Sequence, residues 1–175
     1  MKINKKNVRL EDPNTFIEAF RNEIRKNKKL SPNKFQQLIA IIKTPFINDI
    51  AKLDLTAKEA NVLGRALMHT KSLKAENIIP LFLEQNTKNA YILTCILCKK
   101  CKINDLSMVV DFLKPNISTK TVAYLNLALV LFRNYPAFFN DELLEEVKKI
   151  SHPICDEILS NLNYSTFENI FKIEE

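Results

Sequence analysis

The sequence predicts an all-α protein, and three observations carry that prediction. A single glycine occurs in 175 residues. That leaves little room for β-sandwiches, dinucleotide-binding folds or phosphate-cradling loops, all of which depend on Gly-rich turns. Capping side chains stand repeatedly before prolines, or three residues before a glutamate, which is how helix starts are punctuated. Apolar residues recur at intervals of three and four, and no run of alternating polarity is long enough for a strand. With 46% hydrophobic and 26% charged residues, the chain has the composition of a folded globular protein.

About ten short helices follow in order. Asp12-Pro13 opens 13–28 and Ser31-Pro32 opens 32–43, where Phe35, Leu38, Ile41 and Ile42 share a face. Thr44-Pro45 opens 45–53. Thr56 with Glu59 forms a capping box for 57–70, whose Ala60, Leu63, Ala66 and Leu67 point one way. Helix 75–85 contains Pro80, so it either starts near Asn77 or kinks. Thr87 is the expected cap of 88–101, Asn104 of 105–114, Ser118 of 119–134, and Asn140 or Asp141 of 141–150. Leu143, Leu144, Val147 and Ile150 line one face of the ninth helix. The tenth, 152–172, is expected to break near Asn163, and Ser165 with Glu168 matches the capping box again. Tyr91–Cys98 and Val122–Leu129 are apolar nearly all round, so they belong in the middle of a stack.

Thr56, Thr87 and Ser118 stand 31 residues apart. Counted from each, apolar columns align: Val62, Leu93 and Tyr124; Ala66, Leu97 and Ala128; Leu67, Cys98 and Leu129; Leu81, Phe112 and Leu143; Phe82, Leu113 and Leu144. Each unit reads as helix, turn, helix. Over residues 31–164 the chain resembles the HEAT, armadillo and tetratricopeptide class of helical-repeat proteins. The resemblance implies stacked antiparallel hairpins, a short α-solenoid with an extended binding surface. An irregular helical bundle is the alternative. The expected organisation is a basic arm and first helix over 1–30, then one helical-repeat unit over 31–175.

Charge is unevenly distributed. Residues 1–34 carry ten basic and four acidic side chains, and residues 135–175 carry three basic and nine acidic ones, within a total of +6. A basic front attracts phosphate backbones, acidic protein surfaces or anionic lipid. The candidate nucleic-acid contacts are Lys5, Lys6, Arg9, Arg21, Arg25, Lys26, Lys28, Lys29 and Lys34, with a second patch at Lys99, Lys100 and Lys102. Arg21 and Arg25 lie one turn apart on a helix, close to Lys28, so they can track a phosphate ribbon. Phe16 and Phe20 look like core anchors, which leaves shape and backbone contact to folded RNA rather than base readout.

Catalytic and metal chemistry find little support. Cys95, Cys98 and Cys101 form C-x-x-C-x-x-C. On a helix such positions drift around the cylinder, and no Gly or Pro opens a knuckle between them. Cys95 and Cys98 are therefore expected to pack as small hydrophobes. Cys101 stands near a helix end among lysines, which favour its thiolate. His152, before Pro153, reads as a helix start. Asp141, Glu142, Glu145 and Glu146 read as a solvated face at a helix N-terminus.

No catalytic residue, metal, cofactor, small-molecule substrate or membrane contact is expected. The longest apolar run, 122–132, is short of the ~20 residues a bilayer requires. Met1 precedes a charged stretch rather than a signal-peptide core, so a cytoplasmic setting with reduced thiols is expected. The expected function is docking of the basic front on RNA or a ribonucleoprotein particle, for instance as a ribosome-associated or dormancy-type factor. A protein-interaction scaffold, or a helical effector or adaptor, is the alternative. There the Met1–Leu10 arm orders on binding and the acidic 141–175 end holds a basic partner.

Overall fold

A computed structural model describes residues 12–70, 74–98 and 103–171, with side chains placed for all of these but Pro13 and 163–171. The described residues form helices and two 3-10 turns, with no strand among them. α1 (Pro13–Asn27) starts at Asp12, whose carboxylate accepts the Thr15 amide at 3.1 Å. Phe16, Phe20 and Ile24, four residues apart, are all buried, so α1 presents one apolar stripe inward. Lys28 ends it in a left-handed conformation (φ 59°), its amide bonded to the Ile24 carbonyl.

α2 (Pro32–Ile41) starts after Ser31 as expected, but the serine hydroxyl makes no capping bond. Instead the Ser31 amide donates to Glu23 Oε1 at 2.7 Å and ties α2 back to α1. The third helix is shorter than expected: α3 (Ile47–Ala51) follows a turn in which the Thr44 hydroxyl donates to the Ile41 carbonyl. α4 (Ala57–His69) carries the complete capping box, with Thr56 and Glu59 each accepting the other's amide.

Pro80 truncates the fifth element. α5 (Ala75–Ile78) ends two residues earlier, and Ile79–Phe82 continues as a 3-10 turn. Proline lacks the amide an α-helix needs there. α6 (Thr87–Cys98) begins with the Asn86 side chain accepting the Lys88 amide.

α7 (Ser107–Ile117) begins where Asp105, not Asn104, accepts the Ser107 amide. It runs past Pro115, and Asn116 Nδ2 bonds the Phe112 carbonyl in that last turn. Ser118 consequently closes α7 rather than opening α8. Lys120 is left-handed (φ 56°), Thr121 is extended, and α8 (Val122–Asn134) starts after it. The observed starts at Thr56, Asn86 and Thr121 are unequally spaced, so the 31-residue cap register is not kept. The column Ala66, Leu97, Ala128 is nonetheless fully buried in all three helices.

α9 (Asp141–Lys148) starts on Asn140, which accepts the Leu143 amide. α10 (Pro153–Phe171) starts on His152, whose Nδ1 accepts the Ile154 amide at 3.1 Å, and continues without a break at Asn163.

α6 packs between α4 and α8. α2 covers the other side of α4, and α10 the other side of α8. The even-numbered helices thus make one row. α1 rests on α4, α3 meets the turn after α5, and α7 packs on α8 and α9. The two helices that are apolar all round lie mid-row, as their patterning requires. The lone glycine, Gly64, sets how closely α4 and α6 approach. A β-carbon there would stand 2.8 Å from Cys95 Cβ and 3.2 Å from Ile92 Cα. Among the described residues no helix is long and apolar enough to cross a membrane.

Candidate functional site

The basic end of the row is built by the α1–α2 connection and the outer face of α4. Lys28 and Lys29 follow α1, Leu30 and Pro32 lead into α2, and Phe35 lies on its first turn. Val62 and Arg65, three residues apart on α4, face them. Together these seven side chains line an open groove of about 420 Å³. Its floor is apolar, and three cations stand around it. Phe35 meets the His69 ring edge-on, with centroids 6.0 Å apart, so α4 supports the aromatic from the side.

The predicted cations divide into three groups. Arg25, Lys26, Lys28 and Lys29 are exposed and Lys34 is half-buried. Among the described residues no carboxylate pairs with any of them, or with Arg65. Arg21 points elsewhere. Its Nε stands 3.7 Å from Oε1 of Glu59, which is fully buried, and its guanidinium also donates to the Asp54 carbonyl. The Arg21 guanidinium is thus engaged within the fold, whereas Arg25, one turn on, is exposed. Lys5, Lys6, Arg9, Lys99, Lys100 and Lys102 lie outside the described residues.

The opposite charge distribution holds further along the chain. Lys114 pairs with Glu142 and Asp111, Arg133 with Glu157, Lys148 with Glu145 and Lys149 with Glu146. Hydrogen bonds from lysine hold the Glu142 and Glu145 carboxyls below the usual carboxylate range. The acidic helix is thus a set of ion pairs, the opposite of a carboxylate dyad that shares a proton.

A second groove, about 360 Å³, lies between α5 and the start of α7, beside the half-exposed Met108. Its two acids have partners within the chain. Glu76 accepts the Asn104 amide and Asp105 the Ser107 amide, the latter bond lowering the Asp105 pKa.

The cysteines correct one expectation. Cys95 is half-buried against Gly64, but Cys98 is exposed rather than packed in the core. Desolvation raises both thiols, Cys95 to about 11. Cys155 is fully buried, and Cys101 lies outside the described residues. Among the described residues no three His, Cys, Asp or Glu side chains converge as metal ligands.

Arg65, Val62 and His69 were not legible as site residues. They come from α4, 27 or more residues beyond Phe35. Their spacing on a single face of α4 is the only signal that could have drawn attention to them. No protein family, no curated protein and no solved structure matches this chain.

Proposed function

We propose that this chain is a non-enzymatic, cytoplasmic binding protein of stacked helical hairpins. Its α1–α2 end docks on RNA or a ribonucleoprotein particle such as the ribosome. One contrast carries the reading. The lysines of α7 and α9 are neutralised by neighbouring glutamates, whereas Arg25, Lys26, Lys28, Lys29 and Arg65 are left without a described carboxylate partner. A cluster of cations without carboxylate partners concentrates phosphates and steers an anionic partner toward it. The continuous row of even-numbered helices supports the hairpin-stack class, because neighbouring units share their apolar faces.

Co-sedimentation with ribosomes and with total RNA tests the reading. Wild type should pellet at low salt and be released as salt rises, since bound phosphates give up counterions. Charge reversal at Arg25, Lys28 and Lys29 should abolish pelleting without lowering the melting temperature. Pelleting that survives the reversal sinks the reading. The half-exposed Met108 beside the second groove favours a protein-interaction scaffold as the second reading. That one predicts a protein partner retained in high salt.

A further inference from the structure

The cationic groove contains only charged and apolar side chains: Lys28, Lys29 and Arg65 around Leu30, Pro32, Phe35 and Val62. It holds no amide, hydroxyl or carboxylate side chain, so its side-chain donors are the Lys28 and Lys29 ammonium groups and the Arg65 guanidinium. It does hold an aromatic ring, which His69 supports from the side, and a guanidinium from the neighbouring helix α4. From this combination we infer that the groove takes an unstacked nucleobase from a single-stranded stretch of RNA, with the flanking phosphates on Lys28 and Lys29. This rests on the RNA-docking reading and names which RNA the docking end selects.

The physical grounds are specific. Bases in a duplex are stacked inside the helix, and the A-form major groove is too narrow for side chains to reach them. A looped-out or single-stranded base has both faces free to stack on Phe or on an Arg plane. Every base has such a face, so stacking in itself tolerates any sequence. The volume, about 420 Å³, falls within the roughly 300–1,000 Å³ of small-ligand sites. Lys28 is placed by its left-handed backbone, which turns the chain from α1 into the groove wall. Phe16 and Phe20, the aromatics of α1, are buried, so Phe35 is the ring positioned for this task.

Fluorescence anisotropy with a short labelled oligoadenylate and a duplex RNA of equal length tests the inference. Wild type should bind the oligoadenylate about ten-fold more tightly than the duplex, the order expected for one stacked base. Phe35→Leu keeps an apolar floor and should erase most of that preference while leaving duplex affinity unchanged. Arg65→Gln alters an exposed side chain, so it remains informative if Phe35→Leu folds poorly, and it should reduce the preference several-fold. Lys28→Glu with Lys29→Glu should weaken both RNAs.

Equal affinity of wild type for the two RNAs, or a preference unmoved by Phe35→Leu and Arg65→Gln, overturns base capture and leaves RNA docking standing. Failure of wild type to bind either RNA overturns both. A Glu-rich peptide with one phenylalanine serves as competitor. If it binds more tightly than the oligoadenylate and depends on Phe35, the groove belongs to a protein partner and base capture falls.

Discussion

Arg21 and Glu59 show how one contact decides whether a charge belongs to the fold or to the surface. Glu59 is buried and accepts the Thr56 amide through Oε2, while its Oε1 faces the Arg21 Nε at 3.7 Å. Neither Oε1 nor Nε has a hydrogen-bond partner, so each relies on the other's charge. Breaking such a pair strands a charge away from water. Arg21→Met should therefore destabilise the protein by about 3 kcal/mol, measured by urea denaturation. Arg21→Met combined with Glu59→Gln should recover much of that loss, because the stranded charge is gone. Arg25→Glu, one turn on and exposed, should change stability by less than about 0.5 kcal/mol. Equal losses at the two arginines would refute the assignment. Nothing in the letters separates Arg21 from Arg25. The difference arises because α4 brings Glu59, 38 residues later, against one turn of α1 and not the next.

At the scale of elements, some starts are legible in the sequence and the joints are not. Asp12, Thr56, Asn140 and His152 cap as their spacing implied, because a cap is settled within three or four residues. Ser118 closes α7 instead of opening α8 because α7 runs past Pro115, and the left-handed Lys120 delays α8 until Thr121. The Ser165 and Glu168 pattern did not break α10, since a capping motif does not by itself end a helix. The groove was invisible because its two walls, 28–35 and 62–65, meet only through the packing of α2 on α4.

Composition identified Gly64 as the only glycine, and its role appears where α4 meets α6. Gly64→Ala gains about 1 kcal/mol in helix propensity. The new methyl must displace Cys95 Cβ and the Ile92 backbone, and overpacking of this kind costs about 1–3 kcal/mol. The clash involves a β-carbon and a backbone atom, neither of which can swing aside, so the cost wins. Gly64→Ala should lower the melting temperature by several degrees. Adding Cys95→Ala should restore only part, because it removes Sγ and leaves Cβ in place. A stabilised Gly64→Ala protein would mean that the two helices stand further apart.

Over the whole molecule, charge is arranged as a gradient with different local chemistry at its ends. Among the described residues Arg25, Lys26, Lys28 and Lys29 have no carboxylate partner, whereas Glu142, Glu145, Glu146 and Glu157 are bonded to lysine or arginine. That arrangement makes stability sensitive to acid. The Asp54 carboxyl is held low by the Lys88 hydrogen bond, and the Glu142 and Glu145 carboxyls by Lys114 and Lys148. A carboxylate with a depressed folded pKa contributes stability that is fully present above its unfolded value. The contribution is lost as pH falls through the folded value. The melting temperature should accordingly hold from neutral pH down to about pH 5 and fall below about pH 4, where these groups take up protons.

Lys114→Gln removes the partner that depresses Glu142, so its acid fall should be shallower than that of wild type. The Lys114 pKa is raised mainly by the same Glu142 bond. Its contribution is present below its unfolded value, near 10, and is lost only above it, so it does not shape the acid limb. The three carboxylates are exposed, though Lys88 and Lys114 are half-buried, so solvent screens these pairs and high salt should shrink the difference between wild type and variant. Melting curves from pH 7 to pH 3 at low and high salt provide the check. An acid limb of identical depth in wild type and Lys114→Gln would show that the paired carboxylates do not set it, leaving the growing positive charge of the basic front as the cause.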